Sequence, residues 1–294
     1  MWGSLGCLIY LAPNFVNGSS AALSKTASSP LEDGEQEALR LVNGAQEKGL
    51  VLRLVGGIAI KMRCKSAKHR ELTRHYADID MVGLAKQRKQ LKSFFPEMGY
   101  VARGKFNVMQ GERLIFNDLE HSRRIDIFLD FLNMCHKLDF KDRLGFNPYT
   151  LTPTDLLMSK LQVVEATERE IKDILALLID FPIEDKDGES INGKYIAELC
   201  ANDWGIFKTF TINLDKIRTL LPSYLQKDGE DFATVTARLR ELEQRIETSP
   251  KSTKWKLRAA VGEKKRWYEL PEADKSIVHS TLVLETDKLK AKQD

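Results

Sequence analysis

The sequence is poor in the residues that staple small folds or build soft-metal centres. Of 294 residues only 4 are cysteine. They stand at 7, 64, 135 and 200, with no CxxC pair and no histidine clustered beside them. This argues against a disulfide framework or a structural zinc site, and suits reduced thiols in a cytoplasm. No apolar run approaches the roughly 18 residues that a membrane span needs, and there is no internal repeat or low-complexity tract of consequence. Nor is one sign of charge dominant: 45 Lys and Arg face 42 Asp and Glu, a net of +3. With a pI near 8.5, that mild balance permits a nucleotide or nucleic-acid partner without demanding one. What is present, 43% hydrophobic and 30% charged residues at a mean hydropathy of −0.33, is the make-up of a globular protein. The length gives core enough for one large or two modest domains.

The opening MWGSLGCLIYLAPNF is apolar but has no basic n-region and a short h-region, so it is a poor signal peptide. The next stretch, NGSSAALSKTASSP, is small and polar, and residues 1–32 are expected to be a loose extension, or an over-called start, outside the fold. From Asp33, DGEQEALRLVNGAQEKGL has helical spacing and closes on a glycine. VLRLV reads as a strand, GGIAIKMRC as a turn feeding a helix, KSAKHRELTRHY as a polar, basic connection, and ADIDMVG as a second strand. AKQRKQLKSFFPEMGY is an amphipathic helix ended by Pro96 and Gly99. YVARGKFNVMQ, ERLIFND and RRIDIFLDFL supply about three further strands, with turns at Gly104 and Gly111. After NPYTLTP the pattern turns helical: TPTDLLMSKLQVVEATEREIKDILALLID, with Thr152 or Thr154 as cap, then GKYIAELCAND, TINLDKIRTLLPSYL and ATVTARLRELEQRIE. The expected fold class is α+β (α/β). A mixed β-sheet with flanking helices spans 33–150 and a helical C-terminal domain spans 151–294.

On a strand, Asp78 and Asp80 share a face while Ile79 and Met81 enter the core. Two carboxylates about 7 Å apart along the backbone repel each other unless a cation lies between them. With no nearby His or Cys, the hard oxygen set favours Mg²⁺ or Mn²⁺ over zinc. Alone, a DxD is most economically a polar strand face. RRIDIFLD adds Asp126 between Ile125 and Ile127 on what should be a neighbouring strand. Asp126 and Asp130 share a face but lie roughly 13 Å apart, so only one can join the pair. Asp126 is preferred for its cleaner alternation and the preceding Arg123 and Arg124, with Asp130 as the fallback. Three strand-borne carboxylates make a cradle for two metals, as used in phosphoryl and nucleotidyl transfer. Gly56 and Gly57, at a strand-to-helix turn, would let backbone N–H groups approach a phosphate.

These residues resemble the nucleotidyltransferase superfamily, whose pattern is an apolar strand, Gly-Gly or Gly-Ser, a short helix, Asp-x-Asp on the next strand, and a third Asp between apolar residues. The matches are Gly56, Gly57, Asp78, Asp80 and Asp126. Within it, the chain is most similar to the AbiEii toxin branch, through Arg74 four residues before the first Asp, LTPTDLLMSKL at 151–161 and REIKDILAL at 169–177. The resemblance covers residues 37–180 and implies a nucleotidyltransferase-like sheet. It also implies metal-dependent transfer of a nucleoside monophosphate from an NTP to an acceptor hydroxyl. Asp78, Asp80 and Asp126 would hold Mg²⁺ (or Mn²⁺), with Asp126 able to accept the hydroxyl's proton. Gly56, Gly57, Arg74 and Lys160 would bind the nucleotide, with a role for Asp173 beside them. By analogy the acceptor would be RNA and a partner an antitoxin or other protein. Departures are the long basic insertion before Asp78, Tyr76 where relatives often carry Ser or Thr, and a C-terminal half that matches nothing.

Two other readings stay open: transfer to a small, aminoglycoside-like hydroxyl compound, and a non-catalytic RNA- or partner-binding protein on a degenerate version of the fold. Lys65, Lys68, Arg70 and Arg74 either hold phosphates or form a solvated loop. His69, His75 and His121 read as surface residues. KSTKWKLRAAVGEKKRWYEL, at 251–270, carries seven basic residues, two acidic ones, two tryptophans and a tyrosine. That suits base stacking and phosphate contact, or equally a solvated helix with its aromatics in the core.

Overall fold

The computed structural model describes residues 29–109 and 111–270. The expected N-terminal extension therefore lies largely outside the described residues. Its described end is held rather than loose: Arg123 donates to the carbonyls of Leu31 and Glu32, and Leu31 N–H donates to Glu37.

The sheet is mixed, as the pattern of elements implies. Helix α1 (Gly34–Glu47) starts at Asp33, whose Oδ1 accepts from the N–H groups of Glu35 and Gln36 at 3.0 and 2.8 Å, an N-cap that satisfies two otherwise orphaned donors. Strand β1 (Leu52–Val55) follows, and the chain turns at once into α2 (Gly56–Arg63). The remaining sheet strands are β2 (Ile79–Gly83), β3 (Val101–Ala102), β4 (Arg113–Asp118) and β5 (Arg123–Leu129), in the order β1-β2-β5-β4-β3. Only β2 and β5 run parallel; every other neighbour is antiparallel. The crossover between β2 and β5 carries α3 (Arg88–Glu97) and α4 (Gly104–Met109).

One face of the sheet is closed by apolar packing. Phe95 on α3 stacks on Phe116 of β4 at 4.6 Å between ring centroids. Both rings are fully buried, each contributing about 1.5–3 kcal/mol by removal from water. Helix α1 is pinned beside α3: Tyr100 donates to Glu37 at 2.5 Å and Arg40 to the Met98 carbonyl at 3.0 Å. The opposite face carries Asp80 and Asp126.

The span 101–109 is a correction. It was expected to be a strand, but β3 lasts two residues and α4 follows. Asn107 decides this by pairing with the backbone of Ile115, donating at 2.9 Å and accepting at 2.7 Å. It thereby takes the ladder position a longer edge strand would occupy. A hairpin, β6 (Phe131–Asn133) and β7 (Lys137–Asp139), follows β5.

The helical part begins with α5 (Pro153–Leu161), which Thr152, not Thr154, caps in a capping box with Asp155. The single helix expected over 152–180 is two, because α6 (Glu168–Asp180) restarts from a second box, Thr167 with Glu170. A short parallel pair, β8 (Ile183–Glu184) and β9 (Ile191–Asn192), leads to α7 (Gly193–Asn202), α8 (Trp204–Leu220), α9 (Glu230–Thr248) and α10 (Thr253–Val261). Helix α8 starts seven residues before the expected TINLDKI segment because Asp203 caps it, accepting from Ile206 N–H at 3.0 Å. Arg143 pins α5 in place: it pairs with buried Asp155, reaches Asp187 at 2.6 Å, and lies 4.2 Å from the Tyr195 ring centroid. One continuous apolar cluster runs from α1 through the sheet to α9. Among the described residues no helix is long and apolar enough to cross a membrane.

Candidate active site

The parallel pairing of β2 with β5 sets Asp80 directly opposite Asp126. Strand alternation puts both on the open face, while Ile79, Met81, Ile125 and Ile127 are wholly buried on the other. On the far side of β2, Val55 is the register partner of Asp80, so the chain leaves the sheet at Gly56 beside that carboxylate. A cleft of about 500 Å³ opens over these residues, walled by the start of α2, by residues 74–78, by α5 and by the first turn of α6.

Two glycines shape its wall, each for a stated reason. Gly56 has φ +72°, and a Cβ there would stand 2.5 Å from Asp80 Oδ2. At Gly57 a Cβ would stand 2.3 Å from an Arg74 guanidinium nitrogen and 2.6 Å from the Tyr76 ring. The missing side chains thus make room for the site's own charged groups. Val55, the cap residue of α2, offers no side-chain acceptor to the helix's first N–H groups, which leaves them for an anion. Replacing Gly56 by Ala is expected to destabilise the protein by about 1–3 kcal/mol and to displace Asp80. A thermal melt checks it, and an unchanged melting temperature would show that the turn tolerates a side chain.

The carboxylates differ in surroundings. Asp126 is 1% exposed. Its Oδ1 accepts from Arg113 Nε at 3.2 Å, with Nη2 at 3.0 Å. Its Oδ2 lies 2.8 Å from Arg124 Nε but accepts no hydrogen bond. Asp80 is partly buried, and burial first, then the Asp126 charge beside it, push its carboxyl up to about 6. Asp78 sits at the exposed rim just ahead of β2, 3.7 Å from Arg124. The three expected ligands are therefore not gathered into one cluster: among the described residues no three His, Cys, Asp or Glu side chains converge as a metal site. Asp80 and Asp126 pair, and Asp78 stands apart. Two observations nonetheless suit a hard cation. A carboxylate pair held side by side repels itself, and Asp126 Oδ2 is a buried acceptor without a donor.

Asp130, the fallback third carboxylate, is excluded from the site. It sits in a left-handed turn at φ +64° and accepts from Ala85 N–H at 3.0 Å, pinning the end of β2. Of the basic stretch, Lys65, Lys68 and Arg70 are exposed and only Arg74 turns inward. Its guanidinium grips Asp173 with two bonds, 2.9 and 2.6 Å, and lies 4.0 Å from the Tyr76 ring centroid. Lys160, on α5, reaches the same Asp173 Oδ2 at 2.8 Å. Burial alone would raise the Asp173 carboxyl, but Lys160 and Arg74 outweigh it and hold the group below the usual range. Arg74 and Lys160 thus line the cleft together, held by buried Asp173 behind them.

His75 lines the cleft although exposed, whereas His121 pairs with Asp118 at 2.9 Å, away from it. Arg123 is likewise structural, pairing with Asp118 at 2.8 Å. Sequence reasoning missed Arg113 and Arg124 as partners of Asp126. Arg124 was readable, since it lies two residues before Asp126 on the same face. Arg113 was not, because its approach depends on the β4–β5 register.

No protein-family model matches the chain, and no curated protein matches it. Among solved structures, the solution structure of the antibiotic-resistance factor ANT(2'')-Ia is similar to part of it. The identity is 12% and the TM-score 0.34, over 48% of this chain and 80% of that one. A likeness so distant carries no weight beside the geometry.

Proposed function

We propose that the protein is a nucleotidyltransferase that moves a nucleoside monophosphate from an NTP to an acceptor hydroxyl, releasing pyrophosphate, with Mg²⁺ or Mn²⁺ held by Asp80 and Asp126 and Asp78 turning in from the rim to complete the set. The observation that supports this most is the in-register pair Asp80–Asp126, facing the uncapped start of a glycine-led helix in one cleft. The nucleotidyltransferase-like reading of the sheet and the AbiEii-like reading draw further support from Lys160 and Asp173, which belong to separate motifs of that branch and meet at 2.8 Å. Divalent cations bound there would polarise the phosphoryl oxygens and lower the pKa of the acceptor hydroxyl.

The chain's own groups do the rest. The first N–H groups of α2 face the phosphates with partial positive charge. Arg74, beside Gly57 at the start of α2, and Lys160, on α5, offset triphosphate charge. Asp126 Oδ2, buried and without a donor, is the atom suited to take the acceptor's proton. Arg113 and Arg124 neutralise Asp126 while no cation does, and both are placed to turn to the phosphates.

That same neutralisation favours a second reading, a non-catalytic binding protein whose arginines permanently occupy the carboxylates. The experiment is to incubate the protein and Mg²⁺ with each α-labelled NTP, offering total RNA and then small hydroxyl compounds, with Asp80→Asn as control. Label transfer abolished by the substitution supports the proposal. Label transfer indifferent to it would overturn the site assignment, and no transfer with no nucleotide bound would favour the non-catalytic reading.

A further inference from the structure

We infer that a second cleft, behind the catalytic one, is a stacking site for single-stranded nucleic acid. It holds about 390 Å³ between the β6–β7 turn, the start of α8, α10 and the chain beyond α10. The two clefts are neighbours: Met134 lines the first, and Cys135 and His136 line the second.

Its walls are aromatic and cationic together. Three of the chain's 4 tryptophans line it, Trp204, Trp255 and Trp267, and Tyr268 stands beside them. Trp267 meets Trp204 edge to face at 6.0 Å and Tyr268 at 5.3 Å. The segment is anchored, not draped: Trp267 Nε1 donates to Thr209 Oγ1 at 3.0 Å, and Glu269 N–H donates to the Cys135 carbonyl at 2.9 Å. The same Oγ1 shares a hydrogen bond with His136 Nε2, 2.8 Å away; burial lowers the pKa of that ring to about 4. Arg258 braces the turn after α10 by donating to the carbonyls of Gly262 and Lys265 while lying 4.6 Å from the Trp204 ring centroid.

Lys254 and Arg266 are exposed at the rim and have no ion-pair partner among the described residues. Asp203 and Glu269 also line the cleft, but Asp203 is committed as the α8 cap. The Trp255 indole N–H is buried without an acceptor. The partly exposed rings of Trp255, Trp267 and Tyr268 for bases, cations without ion pairs for phosphates and an unused donor suit a strand whose bases are unstacked, which a duplex does not offer. Trp204, buried beneath Arg258, backs the wall rather than facing the ligand. The service of this cleft in presenting an acceptor strand to Asp126 rests on the proposed transferase reading; strand binding does not.

The test is a titration of the full chain with a 12-residue single-stranded oligoribonucleotide, without NTP or divalent cation, reading tryptophan emission. Saturable quenching is expected, tighter for the single strand than for the same sequence as a duplex or for a mononucleotide. The Lys254→Glu/Arg266→Glu variant, altered only at exposed positions, should melt like the wild type. It should bind about tenfold more weakly, with a salt slope lower by about 1.4. Equal affinity for duplex or mononucleotide, unchanged binding by the variant, or no quenching would overturn the inference. Because nothing in the titration depends on transfer, its failure and the failure of the transferase reading are separate results.

Discussion

Asp80→Asn is expected to cut nucleotidyl transfer by ~10³-fold and, at the same time, to make the cation-free protein harder to melt. The two effects share one cause. Asp80 sits beside Asp126 in the β2–β5 register, and burial followed by that charge raises its carboxyl to about 6. An unfolded chain titrates the same group near 3.9. Between the two values the native state holds a proton that the unfolded state has lost. Stability therefore falls as pH rises from about 4 to about 6, and stays lower above it. A shift of about two units corresponds to about 1–3 kcal/mol once partial solvent screening is allowed for, or roughly 2–8 °C in melting temperature. Asparagine keeps the shape and removes the charge.

Melts of both proteins at pH 7.5 and pH 4 check this. The variant should be the more stable at pH 7.5, and the gap should close at pH 4. Adding Mg²⁺ should raise the melting temperature of the wild type but barely move that of the variant, since only the former gains a ligand-stabilised native state. A variant that melts below the wild type at pH 7.5 would show that the pair is not repelling itself. An equal response to Mg²⁺ would remove Asp80 from the cation site. The pattern expected is that of a functional site held at the expense of stability.

Much of this site was legible because strand alternation is a local signal. Asp80 and Asp126 stand between apolar residues, and that fixes their face without knowledge of the fold; Asp78 was read into the same strand, but β2 begins at Ile79. The pairing of Asp80 with Asp126 was not legible, since nothing local in DID or IDI states which strands neighbour each other or in which direction. The same limit hid Arg113, whose contact with Asp126 follows from β4 register. Asp130 shares the alternation of Asp126, and what removes it is a left-handed turn and a bond to Ala85. YVARGKFNVMQ carried strand-like residues, and a side-chain pairing by Asn107 overrode them. The glycines were found for one reason and have a second. They were read as clearance for a phosphate, and the fold shows clearance for Asp80, Arg74 and Tyr76 as well. Lys160 came from resemblance alone: almost every residue of α5 is buried, so periodicity could not single it out.

The largest loss of stability is expected at Asp173. It is 2% exposed and accepts from Arg74 Nε and Nη2 and Lys160 Nζ. Asp173→Ala leaves two largely buried cations facing each other across the space it vacates. Removing one partner of such a group costs about 3–5 kcal/mol, on the order of 10 °C in melting temperature. The sign with pH follows from the lowered carboxyl. Its contribution is present above about 4, the unfolded value, and is lost as pH falls through the folded one. The wild type should therefore lose stability on acidification in a range where Asp173→Ala does not. A triple variant, Arg74→Met, Lys160→Met and Asp173→Leu, separates structure from chemistry, because a buried ionic cluster replaced by apolar groups of similar volume is often near neutral. It should recover most of the lost melting temperature and none of the transfer. If Asp173→Ala melts within about 2 °C of the wild type, the triad is a loose surface contact. If the triple variant recovers transfer as well as stability, the two cations have no part in holding the triphosphate.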